Sequence, residues 1–183
     1  MTAYSFAVLT QPVSGRDHAQ GSAKAPVTLV EYGDYQCPPC GKAFSIVEDL
    51  RRQLGDRMRF VFRNFPLTQN HEHAAVAAEA AEAAAAQGRF WEMHQALLTH
   101  QNSLGKSHLV RYAAQLGLNI GQFSQALTTG TFQLRIREDF MSGVRSGVNG
   151  TPTFFINGTR HDGPFDSSSL FDAIVEAAEL REK

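Results

Sequence analysis

Residues 31–44, EYGDYQCPPCGKAF, contain both cysteines of the chain. Cys37 and Cys40 lie three positions apart, and Pro38 and Pro39 fill the gap between them. A structural disulfide, half of a metal site and a redox-active dithiol are all compatible with this spacing. Each of the three requires different residues elsewhere in the chain.

The composition is that of an ordinary globular protein. The chain has 183 residues, of which 43% are hydrophobic and 19% charged, enough for one domain or one domain with a large insertion. Its 17 basic and 18 acidic residues give a net charge of −1, which predicts neither a nucleic-acid partner nor an anionic-membrane partner. No run of residues approaches the roughly 18 apolar positions of a membrane span.

The first residues do not resemble a secretory signal. They lack a basic start, and their longest apolar run is residues 6–9, whereas a signal needs roughly 7–15 apolar residues. We therefore expect a cytoplasmic protein, and a periplasmic or secreted one only if a leader was removed.

The residues around the cysteines predict a strand, a helix and a second strand. PVTLVEY, residues 26–32, is short, apolar and rich in β-branched residues, and RMRFVFRNF, residues 57–65, has the same character. Between them, apolar residues recur at spacings of three and four over residues 38–54, which predicts an amphipathic helix. A βαβ unit of this kind implies parallel pairing with a right-handed crossover.

The middle of the chain predicts a block of helices. Residues 73–88 are dominated by alanine, and four further segments have helical spacing before strand-like residues return at 151–158. A last helix is predicted after an Asp166–Ser167 cap. The sequence thus predicts an α/β protein with these parts: an N-terminal arm (1–24), the first half of the domain (25–66), a helical insertion (67–147) and the second half (148–183).

The position of the dithiol favours redox chemistry. Cys37 lies where the first strand ends and the helix begins, and the helix N-terminus lowers the pKa of a thiol placed there. Cys40 follows one turn later, within reach of the Cys37 sulfur. Pro38 and Pro39 are tolerated in a first helical turn and stiffen it. A purely structural disulfide is not favoured, because so short a ring adds little entropic stabilisation.

Metal binding would require two further ligands. The chain has no second cysteine pair, and His71 and His73 in NHEH, residues 70–73, are a weak zinc signal. We predict that both histidines lie at a helix start and that His94 is a packed helix residue. Neither a metal nor a cofactor is predicted.

An acidic residue stands in the first predicted strand. Glu31 precedes Cys37 by six positions, and a buried carboxylate is costly unless it has a partner or a role. Burial would raise its pKa and let it take the proton from Cys40. The alternative is an ion pair with a surface cation. Arg63 on the neighbouring strand could supply such a partner without excluding the proton role.

A proline stands at the start of the returning strand. Pro152, in NGTPTFF (residues 149–155), would remove a hydrogen-bond donor from a central strand. A cis Thr151–Pro152 bond would leave the Thr151 backbone free to pair with an extended substrate. The alternative is an ordinary trans proline that opens a strand.

Four segments together resemble a known family. VEYGDYQCPPCGKAF, RFVFRNFPL, AAEAA…GRFWEMHQALL and GVNGTPTFFING occur in the order and spacing of the thioredoxin-fold oxidoreductases related to bacterial disulfide-bond protein A (DsbA). The resemblance covers residues 24–180 and implies a thioredoxin-like domain with a central mixed sheet and a multi-helix insertion. It implies that Cys37 is the nucleophile, Cys40 the resolving thiol and Glu31 the buried acid. It places Pro38, Pro39, Thr151 and Pro152 beside the substrate.

The resemblance implies protein or small-molecule thiols and disulfides as substrates. It also implies a recycling thiol system such as glutathione or a thioredoxin-type reductant. The best-known periplasmic oxidants have Pro-His between the cysteines, so Pro-Pro predicts a weaker oxidant. A cytosolic glutathione potential of roughly −220 to −320 mV would tend to keep such a dithiol reduced, which leaves the direction of exchange open.

Three alternatives use the same residues differently. A dithiol metal-binding module would contain zinc, and a non-redox client-binding protein would not need its cysteines. The glutathione-dependent transferases and isomerases of the superfamily have one catalytic Ser or Cys, so the intact pair argues against them.

Overall fold

The computed structural model describes residues 7–182, so residues 1–6 of the predicted arm and residue 183 lie outside the described part. The strands of the described part form one sheet, and five consecutive helices separate its third strand from its fourth in the chain. The strands are β1 (His18–Gln20), β2 (Val27–Gly33), β3 (Met58–Asn64), β4 (Thr153–Ile156) and β5 (Thr159–Arg160). The helices are α1 (Pro38–Leu54), α2 (Ala74–Ala85), α3 (Phe90–Thr99), α4 (Lys106–Gln115), α5 (Ile120–Thr129), α6 (Gln133–Arg145) and α7 (Ser167–Glu182).

The sheet is mixed, in the order β1-β3-β2-β4-β5. β2 and β3 are parallel and are joined through α1, whereas β4 runs antiparallel to β2. The central strands are buried on both faces, which explains their nearly continuous apolar sequences. Helices α2–α6 lie between β3 and β4 in the chain, so the predicted α/β thioredoxin-like architecture with a helical insertion is confirmed.

The N-terminal arm joins the sheet, which the sequence did not predict. β1 pairs antiparallel with β3, and Val8 forms an isolated bridge with Thr159. The arm is also held by Arg63, whose buried guanidinium donates to the Asp17 carboxylate at 2.8 Å and to the Gln11 carbonyl oxygen at 2.9 Å. A buried cation needs such partners, and residues of the arm supply them. The arm is therefore tied to β3 both by strand pairing and by the Arg63 side chain.

In the described part of the chain, no helix combines the length and the apolar character that crossing a bilayer requires.

Helix α6 approaches the sheet closely at a glycine. A Cβ placed on Gly143 would lie 2.7 Å from Cδ2 of Phe65 and 3.0 Å from Cδ1 of Tyr32, and both of these rings are buried. We expect Gly143→Ala to lower the free energy of unfolding by about 1–3 kcal/mol, because the packed rings must move. Urea unfolding measures the change. Gly121→Ala, on the exposed face of α5, is the control, and equal stability of the two variants would contradict this packing.

Candidate active site

Cys37 and Cys40 lie at the junction between β2 and α1. Cys37 is the N-cap residue of α1, with φ −72° and ψ 118°, and Pro38 and Pro39 occupy the first helical positions. Cys40 begins the helical hydrogen bonding, because its backbone N–H donates to the Cys37 carbonyl oxygen at 3.0 Å. Both thiols are free; Cys37 is 5% exposed and Cys40 fully buried. Of the two sulfurs, only that of Cys37 is positioned to meet another molecule.

The two thiols have very different acidities. The Cys40 side chain donates a hydrogen bond to the Cys37 sulfur, and this lowers the pKa of Cys37 to about 6 against the opposing effect of burial. The Thr151 side chain and the Cys40 backbone N–H also favour the Cys37 thiolate. Burial raises the pKa of Cys40 far above its ordinary value, and the bond to Cys37 and the nearby Glu31 raise it further. At neutral pH the site therefore holds one thiolate, on Cys37, and one thiol, on Cys40.

Thr151 and Pro152 lie beside the Cys37 sulfur. The Thr151–Pro152 peptide bond is cis. The Cys37 sulfur lies 3.3 Å from the Thr151 carbonyl oxygen, so this loop and the dithiol are in direct contact. Within residues 7–182 the buried Thr151 hydroxyl has no hydrogen-bond partner, which leaves it free to donate to a negatively charged sulfur.

We expect Thr151→Val to raise the pKa of Cys37 by about one unit, because valine keeps the shape of threonine but removes the donor to the thiolate. The ultraviolet absorbance of the thiolate, followed against pH, measures this change. Thr159→Val, at an exposed position of β5, is the control. If the pKa of Cys37 is the same in Thr151→Val as in the wild type, the Thr151 hydroxyl does not reach the Cys37 sulfur.

Glu31 is buried in β2, with 2% of its surface exposed. Its Oε1 has no hydrogen-bond partner in the described part of the chain. Burial raises its pKa to about 8, and the charge on Cys37 adds to this effect. The carboxyl group is therefore largely protonated at neutral pH and lies within electrostatic reach of both thiols.

The alternative of a Glu31–Arg63 ion pair is wrong. In the parallel register, Glu31 stands opposite Phe62 and Tyr32 stands opposite Arg63. Successive side chains of a strand point to opposite faces, so Glu31 and Arg63 lie on different sides of the sheet. Arg63 binds Asp17 and the Tyr32 hydroxyl instead.

Asp34 is a buried residue of the site that the sequence reasoning missed. Its backbone N–H donates to the Cys40 sulfur at 3.4 Å. Its carboxylate accepts hydrogen bonds from the backbone N–H groups of Gln36 and Leu67, both at 2.7 Å, and binds the His71 ring at 2.8 Å. Asp34 thereby ties the turn before the cysteines to the loop after β3. A Gly-Asp pair after a predicted strand is typical of a turn, and Gly33-Asp34 was the available signal.

The histidines do not contact the cysteines. His71 binds Asp34, and His73 is the N-cap residue of α2, in agreement with a helix start. His94 is buried, its ring nitrogen lies 3.1 Å from the Tyr35 hydroxyl, and burial lowers its pKa to about 3. Among residues 7–182, no group of three or more His, Cys, Asp or Glu side chains is placed to hold a metal ion.

Gln101, in the connection between α3 and α4, also contacts the site. Its side-chain N–H groups donate to the carbonyl oxygens of Tyr35 at 3.0 Å and Cys37 at 2.7 Å. Nothing in the sequence predicted this contact, because Gln101 belongs to no motif and lies more than sixty residues after the cysteines.

Comparison with known proteins places the chain among thioredoxin-fold proteins. The family model described as thioredoxin matches residues 13–176. A thioredoxin-like oxidoreductase from Silicibacter pomeroyi DSS-3 is 28% identical, with a TM-score of 0.80 over 91% of this chain and 94% of that one. BdbD from Bacillus subtilis is 24% identical, with a TM-score of 0.83 over 95% and 99% of the two chains. The α-DsbA1 protein of Wolbachia pipientis is 21% identical, with a TM-score of 0.79 over 95% and 96%. The last two likenesses show the fold alone.

Curated relatives contain a similar region within much longer chains. The chain is 44% identical over 169 residues to a protein of Mycobacterium sp. (strain KMS) named Na(+)/H(+) antiporter NhaA 1, covering 91% of this chain and 28% of that protein. It is 47% identical over 162 residues to one of Salinispora tropica named Na(+)/H(+) antiporter NhaA 3, covering 88% and 25%. The chain thus spans about a quarter of the length of these relatives, and their name describes the whole proteins.

Proposed function

Because this chain belongs to the thioredoxin family and has the fold of its DsbA-like members, we propose that it is a thiol–disulfide oxidoreductase. The observation that carries the proposal is the unequal pair of thiols. Cys37 is ionised near neutral pH and lies at the surface end of the pair, whereas Cys40 is buried and protonated behind it. A nucleophile and a resolving thiol need this difference. The likeness to the oxidoreductase of Silicibacter pomeroyi supports the same function.

The proposed reaction begins with the Cys37 thiolate. It attacks one sulfur of a substrate disulfide, forming a Cys37–substrate disulfide, and the other substrate sulfur leaves as a thiolate. The extended substrate pairs along the Thr151 backbone beside Pro152. Pro38 and Pro39 fix the turn that presents the sulfur.

The second step uses Cys40 and Glu31. With a pKa of about 8, Glu31 accepts a proton only in its ionised form, which is the minor form at neutral pH. The Cys40 thiol gives its proton to this carboxylate and attacks the Cys37 sulfur, which releases the remaining substrate sulfur as a thiolate. The protein is left with a Cys37–Cys40 disulfide, and the substrate has gained two electrons. Run in reverse, the same steps oxidise a substrate dithiol.

We propose that this protein is a weaker oxidant than the Pro-His members of the family. Pro38 and Pro39 lack N–H groups, so the first helical turn offers fewer donors to a thiolate than an ordinary helix start. A Cys37 pKa of about 6 lies between roughly 7 in thioredoxin and roughly 3.5 in DsbA. Protein and small-molecule thiols are the proposed substrates, with glutathione or a thioredoxin-type reductant as the recycling partner and the cytoplasm as the location.

The test is the redox equilibrium of Cys37 and Cys40 in graded glutathione buffers, followed by quenching and thiol counting. We expect a reduction potential between roughly −180 and −270 mV. A value near about −120 mV would contradict the weaker-oxidant proposal. A protein that forms no intramolecular disulfide would overturn the oxidoreductase proposal and redirect attention to metal binding, which zinc analysis of the purified protein would then detect.

A further inference from the structure

The Gln101 side chain, in the helical insertion, contacts the backbone of the dithiol turn. The turn runs from Asp34 to Cys37 and is closed by the Cys37 N–H, which donates to the Asp34 carbonyl oxygen at 3.2 Å. The Gln101 amide nitrogen donates to the Tyr35 carbonyl oxygen inside this turn and to the Cys37 carbonyl oxygen at its end. One amide group thus binds two backbone carbonyl groups, the one before Gln36 and the one after it at Cys37.

A glycine in α1 leaves the space that this glutamine occupies. A Cβ placed on Gly41 would lie 2.4 Å from Oε1 and 2.9 Å from Cδ of Gln101. Glycine inside a helix is about 1 kcal/mol less favourable than alanine, so position 41 carries a local cost to helix stability. A side chain at position 41 would displace the Gln101 amide, so the glycine leaves room for the contact.

We propose that Gln101 is a positioning residue that holds the dithiol turn in the conformation of the reduced, thiolate-bearing state. The proposal rests on the proposed function, since it concerns the same two cysteines. The Cys37 carbonyl group held by Gln101 also accepts the Cys40 N–H, so the amide fixes the backbone that carries both sulfurs. Gln101 does not touch a sulfur; it acts through the backbone of Tyr35 and Cys37.

Whether Gln101 makes the disulfide easier or harder to reduce depends on which redox state of the turn it stabilises. Closing the Cys37–Cys40 disulfide changes the separation and orientation of the two sulfurs, so a turn held in its reduced geometry favours the dithiol over the disulfide. Removing the amide should weaken this preference. The disulfide then becomes harder to reduce, and the Cys37 thiolate loses part of the geometry that places the Cys40 thiol and N–H against it.

The experiment compares five proteins with the wild type: Gln101→Ala, Gln101→Glu, Gly41→Ala, the Gly41→Ala/Gln101→Ala double variant and Asn102→Ala. Gln101→Glu keeps the shape of the side chain but replaces the donor with an acceptor. Asn102 is an exposed neighbour in the same connection and serves as the control. Three quantities are measured for each: the glutathione equilibrium, the pKa of Cys37 from thiolate absorbance, and the free energy of unfolding.

We expect Gln101→Ala, Gln101→Glu and Gly41→Ala each to shift the glutathione equilibrium about tenfold toward the disulfide, which is about 30 mV to more negative potential. The pKa of Cys37 should rise in all three, and Asn102→Ala should match the wild type. The double variant should shift no further than either single alanine variant, because both remove the same contact. Gly41→Ala should produce its shift without lowering stability, since alanine favours the helix.

A purely structural role for Gln101 would lower the free energy of unfolding in its variants and leave both the equilibrium and the Cys37 pKa unchanged, which would overturn the proposal. Additive shifts in the double variant would also overturn it. If the wild type forms no disulfide, the oxidoreductase proposal fails. The pKa comparison still decides the role of Gln101 in that case, because thiolate absorbance requires no exchange.

Discussion

Replacing Cys37 with serine is expected to abolish disulfide exchange, whereas Cys40→Ser is expected to stop the reaction halfway. Cys37 has the lowered pKa and the more accessible sulfur, so no attack on a substrate disulfide should occur without it. Cys40→Ser keeps the attacking sulfur but cannot displace the substrate. A Cys37–substrate mixed disulfide should therefore accumulate in a variant that is otherwise inactive in turnover.

Reduced variants incubated with an oxidised protein substrate, alkylated and analysed by intact mass, would show this difference directly. The wild type should end as an internal disulfide, Cys40→Ser as a covalent adduct and Cys37→Ser as unmodified protein. Cys40→Ser also removes the thiol that most lowers the pKa of Cys37, so its adduct should form more slowly below neutral pH than the first attack by the wild type. An adduct on Cys37→Ser in place of Cys40→Ser would reverse the assigned roles.

The parts of this site that the sequence predicted are those that depend on local pattern. The strand before the cysteines, the helix after them and the insertion follow from apolar periodicity and helix propensity, which neighbouring residues determine. The place of Cys37 at a helix start follows from the same local pattern. Its thiolate character, however, depends on Cys40 and Thr151 together. Thr151 was predicted from its place before Pro152 and from the family resemblance, not from periodicity.

The parts that the sequence did not predict depend on contacts between distant segments. The pairing of β1 with β3 is anchored by Arg63 and Asp17, which are 46 positions apart, and the Gln101 contact with Cys37 spans 64 positions. No periodicity reports such contacts. The prediction of a Glu31–Arg63 ion pair failed for another reason. That two strands are neighbours does not determine which face of the sheet each residue occupies until the register is known.

Replacing Glu31 with glutamine is expected to slow the chemistry and to stabilise the fold above neutral pH. Both effects have one cause, which is that the ionisable carboxyl group of Glu31 is buried. One of its oxygens has no hydrogen-bond partner among the described residues. Glutamine has nearly the same shape but neither accepts the Cys40 proton nor ionises. The two effects have opposite signs, so a general loss of structure cannot produce them together.

The stability effect follows from the pKa of Glu31. The folded-state pKa of about 8 is above the ordinary value of 4.5. Between these two pH values the folded protein therefore holds a proton on Glu31 that the unfolded protein releases. This contribution to stability is complete below the ordinary pKa and is lost as pH rises through 8. The interval corresponds to up to about 5 kcal/mol. Between about pH 5 and pH 9, the wild type should lose about 4 kcal/mol of stability relative to Glu31→Gln, as measured by denaturant unfolding of the reduced proteins.

The kinetic effect separates the two steps of the proposed reaction. Attack by Cys37 needs no proton acceptor and should stay near the wild-type rate, whereas displacement by Cys40 should slow by about 100-fold because its proton has lost its acceptor. Rapid-quench measurement of the mixed disulfide should therefore show it rising normally and decaying slowly. Glu176→Gln, at an exposed position of α7, should leave both the decay and the pH dependence unchanged. If the mixed disulfide of Glu31→Gln decays at the wild-type rate, Glu31 does not take part in the proton transfer. If the difference in unfolding free energy does not grow with pH, the Glu31 carboxyl group ionises without cost in the folded protein.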